Sequence, residues 1–110
     1  MVLSRSDEVF QYNGKSYRVG DRVRTLEGDD YAGLIGTIIE IRDGEDKETE
    51  NETPDIYCSF DDPETPEAIR EIEERFSDLY QEPKTLEDII LDMVIMDPEY
   101  LEILPDGETA

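Results

Sequence analysis

A chain of 110 residues with a formal charge of −21 has room for one compact domain, burying roughly two-thirds of the surface it exposes when unfolded. A single cysteine, Cys58, rules out an internal disulfide, and the absence of histidine removes the commonest general base and metal ligand. Charged residues (37%) slightly outnumber hydrophobic ones (36%), a balance near that of disordered chains, yet the apolar residues fall in periodic runs that only a folded chain needs.

The first element in the chain is a hairpin. In EVFQYNGKSYRVG, Asn13-Gly14 stands between two alternating runs, and both residues accept the positive φ of a type I′ turn. Phe10 and Tyr12 share one face of the first strand, and Tyr17 and Val19 alternate along the return strand. Gly20-Asp21 turns the chain into RVRTLEG, where Val23 alternates with Arg22 and Arg24, and Gly28-Asp29-Asp30 makes a polar loop. A β-branched run covers residues 34–41, and Gly36 inside it marks a bulge or a close backbone approach. Residues 43–55 are dense in acid and lack a period, which reads as a solvated loop; IYCSF, residues 56–60, is another strand.

After DDPET the period changes to that of a helix. Thr65 is placed as N-cap, Pro66 at the first helical position and Glu67 in the first turn. Ile69, Ile72, Phe76 and Leu79 form one stripe, Arg70–Glu74 and Glu71–Arg75 are i,i+4 pairs on the wet side, and Gln81-Glu82-Pro83 stops the helix near Tyr80. Thr85 and Asp88 in TLEDII have capping-box spacing, which predicts a single helical turn. DMVIM is a short strand, and DPEYLEIL is expected to begin with a turn and close with one tight helical turn packing Tyr100, Leu101 and Leu104. The tail, residues 105–110, is expected to be loose.

The stretch VGDRVRTLEG, followed by YAGLIGTIIEI, resembles the KOW motif and related SH3-like barrels, in which a G-x-x-V strand leads through a glycine loop into G-x-x-G-x-V. Gly20, Val23, Gly28, Gly33, Gly36 and Ile38 stand in those positions. MVIMDPEYLEIL is similar to the last strand and terminal turn of such barrels, with Pro98 after the strand. The likeness spans residues 15–60 and 92–104. It implies a mainly β fold with α, a small SH3-like barrel of about five strands over residues 1–104. An amphipathic helix, at about 65–80, is inserted before the closing strand. The resemblance supplies no catalytic residue, and KOW domains that hold RNA are usually basic, unlike this chain.

Charge is divided unevenly. Residues 1–42 carry six basic and seven acidic side chains, whereas residues 43–110 carry four basic and 24 acidic ones. Arg22 and Arg24 flank Val23 and so point to the opposite, outer face. With Tyr31 in the adjoining loop and Arg42 at the end of the next strand, they make a candidate patch for an anion or a peptide. The plainer reading is that these arginines keep the barrel wet or pair with Glu73, Glu74 or Asp78 of the helix. Tyr31 is the best single candidate because a Gly/Asp loop needs its packing least, and SH3-like barrels often grip extended peptides with exposed tyrosines. The other aromatics, Phe10, Tyr12, Tyr17, Tyr57 and Phe60, belong to strands and to core or rim packing.

No chemistry is selected by the remaining residues. In DGEDKETENETP the glycine falls second rather than sixth and Lys47 interrupts the acids, so an EF-hand-type metal site is not expected. Cys58 lies in a β run without an activating base and reads as a packed thiol. The expectation is therefore a non-enzyme without cofactor or metal. It would be an adaptor for a protein partner with a basic surface, and the alternative is an acidic DNA mimic that occupies a nucleic-acid enzyme's groove. Direct RNA binding is disfavoured, because about four arginines would act against the field of the whole chain. The opening MVLSRSDEVF lacks the apolar core of a secretory signal, and no apolar run approaches the ~20 residues of a membrane span. A cytoplasmic chain, monomeric or weakly dimeric, is expected.

Overall fold

The computed structural model describes residues 1–104, so the tail expected to be loose lies outside the described residues. In chain order they form β1 (Val2–Leu3), β2 (Val9–Tyr12), β3 (Lys15–Arg18), β4 (Arg22–Thr25), β5 (Ile35–Arg42), β6 (Asp55–Phe60), α1 (Pro66–Tyr80), β7 (Val94–Met96) and β8 (Leu101–Ile103). The fold is mainly β with one α-helix, inserted between β6 and β7.

β2 and β3 form the expected hairpin, with Asn13 at φ 53° and Gly14 at φ 80°. Its register sets Phe10 opposite Tyr17, and both rings are buried. β5 organises the rest. The antiparallel sheet runs β7-β6-β5-β4-β8, and β1 also pairs with β5. β6 lies along one side of β5, while β4 and β1 share the other, at residues 35–37 and 41–42. Between them Ile38 accepts from Gly20 N–H at 2.7 Å and donates to Asp21 at 2.9 Å, tying the hairpin's exit to mid-strand. A register shift between Ile38 and Glu40 bends β5 at that point. Gly36 is the close approach its position predicts: a Cβ there would meet the Ser59 carbonyl oxygen at 2.6 Å and the Phe60 Cα at 3.0 Å.

The mainly β character with one helix is as expected, while the sheets are not closed into a barrel: the described residues form eight strands, and β2–β3 is a separate two-stranded sheet with no ladder to the other six. Two expectations are corrected. The segment DPEYLEIL does not close with its helical turn. A 3-10 turn at Pro98–Tyr100, with Asp97 accepting from Glu99 N–H, comes first, and β8 follows along β4. The reason is long-range: β4 has an unpaired edge there, and Leu26 N–H and Leu104 N–H donate to Tyr100 and Arg22 carbonyls across it. Finally, the helical stripe stops short. Ile72 and Phe76 are buried, but Leu79 is 50% exposed because α1 outruns the core.

The helix ends are as the residues dictate. Thr65 Oγ1 accepts from Ala68 N–H at 3.1 Å, and Gln81 closes the helix in the left-handed region at φ 54°. Thr85 and Asp88 cap a 3-10 turn at Leu86–Asp88 reciprocally, and Glu73 of α1 accepts from Leu86 N–H, holding that turn against the helix.

Residues 43–55 are more than a solvated loop. Gly44–Asp46 is a 3-10 turn, and the Met1 ammonium pairs with Asp46. Asp55, at the start of β6, is only 1% exposed. Its carboxylate accepts from Glu48 N–H at 2.8 Å, Thr49 N–H at 3.0 Å and the Thr49 hydroxyl, latching the acidic loop onto the sheet. Burial pushes the Asp55 carboxyl up, but the bonds from Thr49 and Glu48, with Lys47 nearby, outweigh it and hold the group below its ordinary 3.8. A carboxylate favoured by folding stabilises the protein above its unfolded pKa, and that contribution disappears as pH falls through the lower folded value. Replacing Asp55→Asn is expected to destabilise the fold by about 1–2 kcal/mol at pH 7, since charge-assisted bonds become neutral ones. In thermal melts the gap between wild type and variant should hold constant above about pH 5 and narrow progressively as pH falls below about 4.

Candidate interaction surface

The structure disperses the four residues singled out from the sequence. Arg22 donates to Thr37 Oγ1 at 2.8 Å and pairs with Asp61 just before α1. Arg24 faces Glu102 of β8 at 3.9 Å. Arg42 bonds Glu40 at 2.7 Å and Glu48 at 3.0 Å, and its guanidinium lies 5.1 Å from the centre of the Tyr57 ring. Thr37, opposite Arg22, and Arg42 are five residues apart on β5, roughly 16 Å at the rise of a strand. A single small anion cannot touch both ends of that distance. The arginines do meet acids, but on their own or neighbouring strands and on loops rather than at Glu73, Glu74 or Asp78. The helical arginine that reaches back is Arg75, which donates to the carbonyls of Asp30 at 2.9 Å and Ala32 at 3.2 Å.

Tyr31 is placed differently from its expectation. The loop is where packing is most needed, since sheet, helix and the segment before β7 meet there. The Tyr31 ring stacks on Phe60 of β6 at 5.3 Å and meets Phe76 of α1 edge-on at 5.2 Å. Its hydroxyl donates to the Ile90 carbonyl at 2.7 Å, and its own N–H donates to the Asp29 carboxylate at 2.9 Å. Burial, then the neighbouring Tyr80, Asp29 and Asp30, push the Tyr31 hydroxyl up to about 12, so it stays a neutral donor at any ordinary pH.

The aromatic string continues from Phe76 to Tyr80, centroids 6.2 Å apart, and there it emerges. Tyr80 is 59% exposed and Ile90 69%, with Leu79 beside Tyr80 at the end of the same helix. These are large side chains left in solvent at the end of α1 and before β7; of them the sequence singles out only Leu79, as a member of the helical stripe. Signals for their exposure exist: Leu79 and Tyr80 are adjacent on a helix, about 100° apart, so a narrow core cannot take both. Ile89-Ile90 follows a turn into extended backbone, where consecutive side chains point to opposite faces; Ile89 is buried and Ile90 is not.

Other features offer little chemistry. A cleft of about 230 Å³ between the start of β5 and the start of α1 has an apolar floor of Leu34, Ile35, Pro63 and Ala68, and its wall carries the Arg22–Asp61 pair together with Asp62 and Glu64. Cys58 is fully buried, and burial pushes its thiol up to about 12, leaving it uncharged and weakly nucleophilic. Among the described residues no helix is long and apolar enough to cross a membrane. Comparison with protein-family models, with curated proteins and with solved structures returns no match to this chain.

The Tyr31 junction makes a graded prediction. Tyr31→Phe removes only the hydroxyl bond to Ile90 and should reduce stability by about 0.5–1 kcal/mol. Tyr31→Ala also removes the ring between Phe60 and Phe76 and should reduce it by about 2–3 kcal/mol, less than for a fully buried aromatic. Urea denaturation of the two variants, followed by circular dichroism, measures both steps.

Proposed function

We propose that the chain is a non-catalytic SH3-like interaction module that binds a protein partner through that partner's basic surface. One observation carries this reading. Arg22, Arg24, Arg42 and Arg75 are all engaged within the molecule by carboxylates or carbonyls, so the field left for a partner is negative. That field favours encounter with basic proteins and opposes phosphates and anionic lipid. The SH3-like assignment is supported by β5, bulged at mid-strand and serving two partners along one edge, the kind of bending that curls a sheet around one core. A reducing, cytoplasmic setting belongs to the same proposal and is supported by the lone buried thiol.

A DNA mimic is the second reading, and an exposed stripe on α1 favours it: Glu67, Glu71, Glu74 and Asp78. Their spacing ranks it lower. Eleven residues of helix rise about 16 Å, which gives one charge per roughly 5.5 Å, against one per ~3.4 Å on a single DNA strand. Glu71 is moreover paired with Arg75.

Salt separates the two. The immobilised chain should capture basic proteins whose retention falls less than about tenfold between 50 and 200 mM salt and which duplex DNA does not displace. A mimic of several phosphates would lose about 10³-fold or more over that range and would be displaced by DNA. Surface plasmon resonance on the captured proteins reads both quantities, and steep salt loss with displacement by DNA would replace the adaptor with the mimic.

A further inference from the structure

We infer that Leu79, Tyr80 and Ile90 form the docking surface for a lysine- or arginine-rich segment of another protein that carries an apolar anchor. This rests on the reading above, that the partner is a basic protein, and names the place where it is held. The three side chains are exposed by half or more, although the core is already served by Ile72 and Phe76 of the same helix. Their framework is fixed, since Phe76 packs Tyr80 and the Tyr31 hydroxyl holds the Ile90 carbonyl. A surface ordered before binding has little freedom to lose when a partner arrives.

Charge decides the occupant. Glu82 stands behind the Lys84 ammonium over the Tyr80 ring, and Asp29 and Asp30 lie beside Tyr31. The cations near the patch are already engaged: Arg75 is held by Glu71 and the Asp30 and Ala32 carbonyls, and Lys84 sits with Nζ 5.0 Å from the centre of the Tyr80 ring while paired with Glu82. The protein thus shows in miniature what a partner's lysine would do, an ammonium over an aromatic ring with a carboxylate behind it. A second copy is opposed. Its own patch would bring the same acids within a Debye length of these, about 8 Å at physiological salt, on two chains of charge −21 each. A lipid surface bearing anionic headgroups is opposed for the same reason.

The test uses the full chain and two fluorescent lysine peptides of equal length and charge, one with leucines on one helical face and one with serines there. The leucine peptide should bind wild type more tightly than the serine peptide. The combined substitution Leu79→Ser, Tyr80→Ser, Ile90→Ser should weaken the leucine peptide about tenfold and leave the serine peptide unchanged. Equal binding of the leucine peptide by wild type and variant overturns the docking surface while leaving the basic-partner reading standing. Failure of both peptides to bind wild type overturns both. Should the variant not fold, methyl resonances of Leu79 and Ile90 in wild type provide the readout. Shifts there on adding the leucine peptide support the surface, and shifts confined elsewhere overturn it. A wild-type dimer in sedimentation velocity that the variant loses would put a second copy on the patch and overturn the basic segment as its occupant.

Discussion

The ring of Tyr31 lies between a phenylalanine of the sheet and a phenylalanine of the helix, and the placement of the whole insertion follows from that contact. Phe60 is fixed by β6 and Phe76 by α1, so a ring stacked on one and edge-on to the other sets the distance between the two layers. Arg75 adds direction, because its bonds to the Asp30 and Ala32 carbonyls hold the helix to the same loop. The hydroxyl then reaches Ile90 on the returning segment, and Phe60 N–H donates to Leu91 one residue further on. One loop residue therefore joins three elements distant in sequence.

A chain this acidic folds only if its charges are sorted by where they stand. Most carboxylates are left in water, where repulsion between them is screened. The few cations serve as ties between strands and loops: Arg22 to Asp61, Arg24 to Glu102, Arg42 to Glu40 and Glu48. Asp55 is the exception, a carboxylate taken out of water at the root of β6. It is tolerated because two backbone N–H groups and a hydroxyl replace the water it loses. The same bonds fasten the acidic segment down, so a charge that would be costly in isolation becomes the anchor of the loop.

What is legible in the sequence is local. Asn13-Gly14 specifies its turn through backbone angles alone, Thr65-Pro66 its helix start, and Thr85 with Asp88 its cap, each within a few residues. Gly36 is legible because a glycine weakens a β-branched run, a loss that a close backbone approach offsets. The remainder depends on residues far apart in the chain. β1 is two residues long, too short to show alternation, and exists because the end of β5 offers it an edge. β8 reads like a helical turn until β4 is alongside it. Asp55 looks like one acid among many; only its partners, six and seven residues upstream, distinguish it. Tyr31 stands out in the sequence for the wrong reason. A polar loop signals exposure unless something packs against it, and here Phe60 and Phe76 do so.

The same sorting explains why a small apolar surface can matter on a molecule dominated by charge. Long-range attraction brings many basic partners near but discriminates poorly among them, because it depends on net charge more than on shape and is weakened by salt. Desolvation of a few aromatic and aliphatic side chains acts only at contact, is insensitive to salt and depends on fit. At the end of α1 the two meet: exposed Tyr80 has acids on either side in the chain and a lysine already over its ring. Charge sets which molecules arrive, and the apolar side chains set which of them stay.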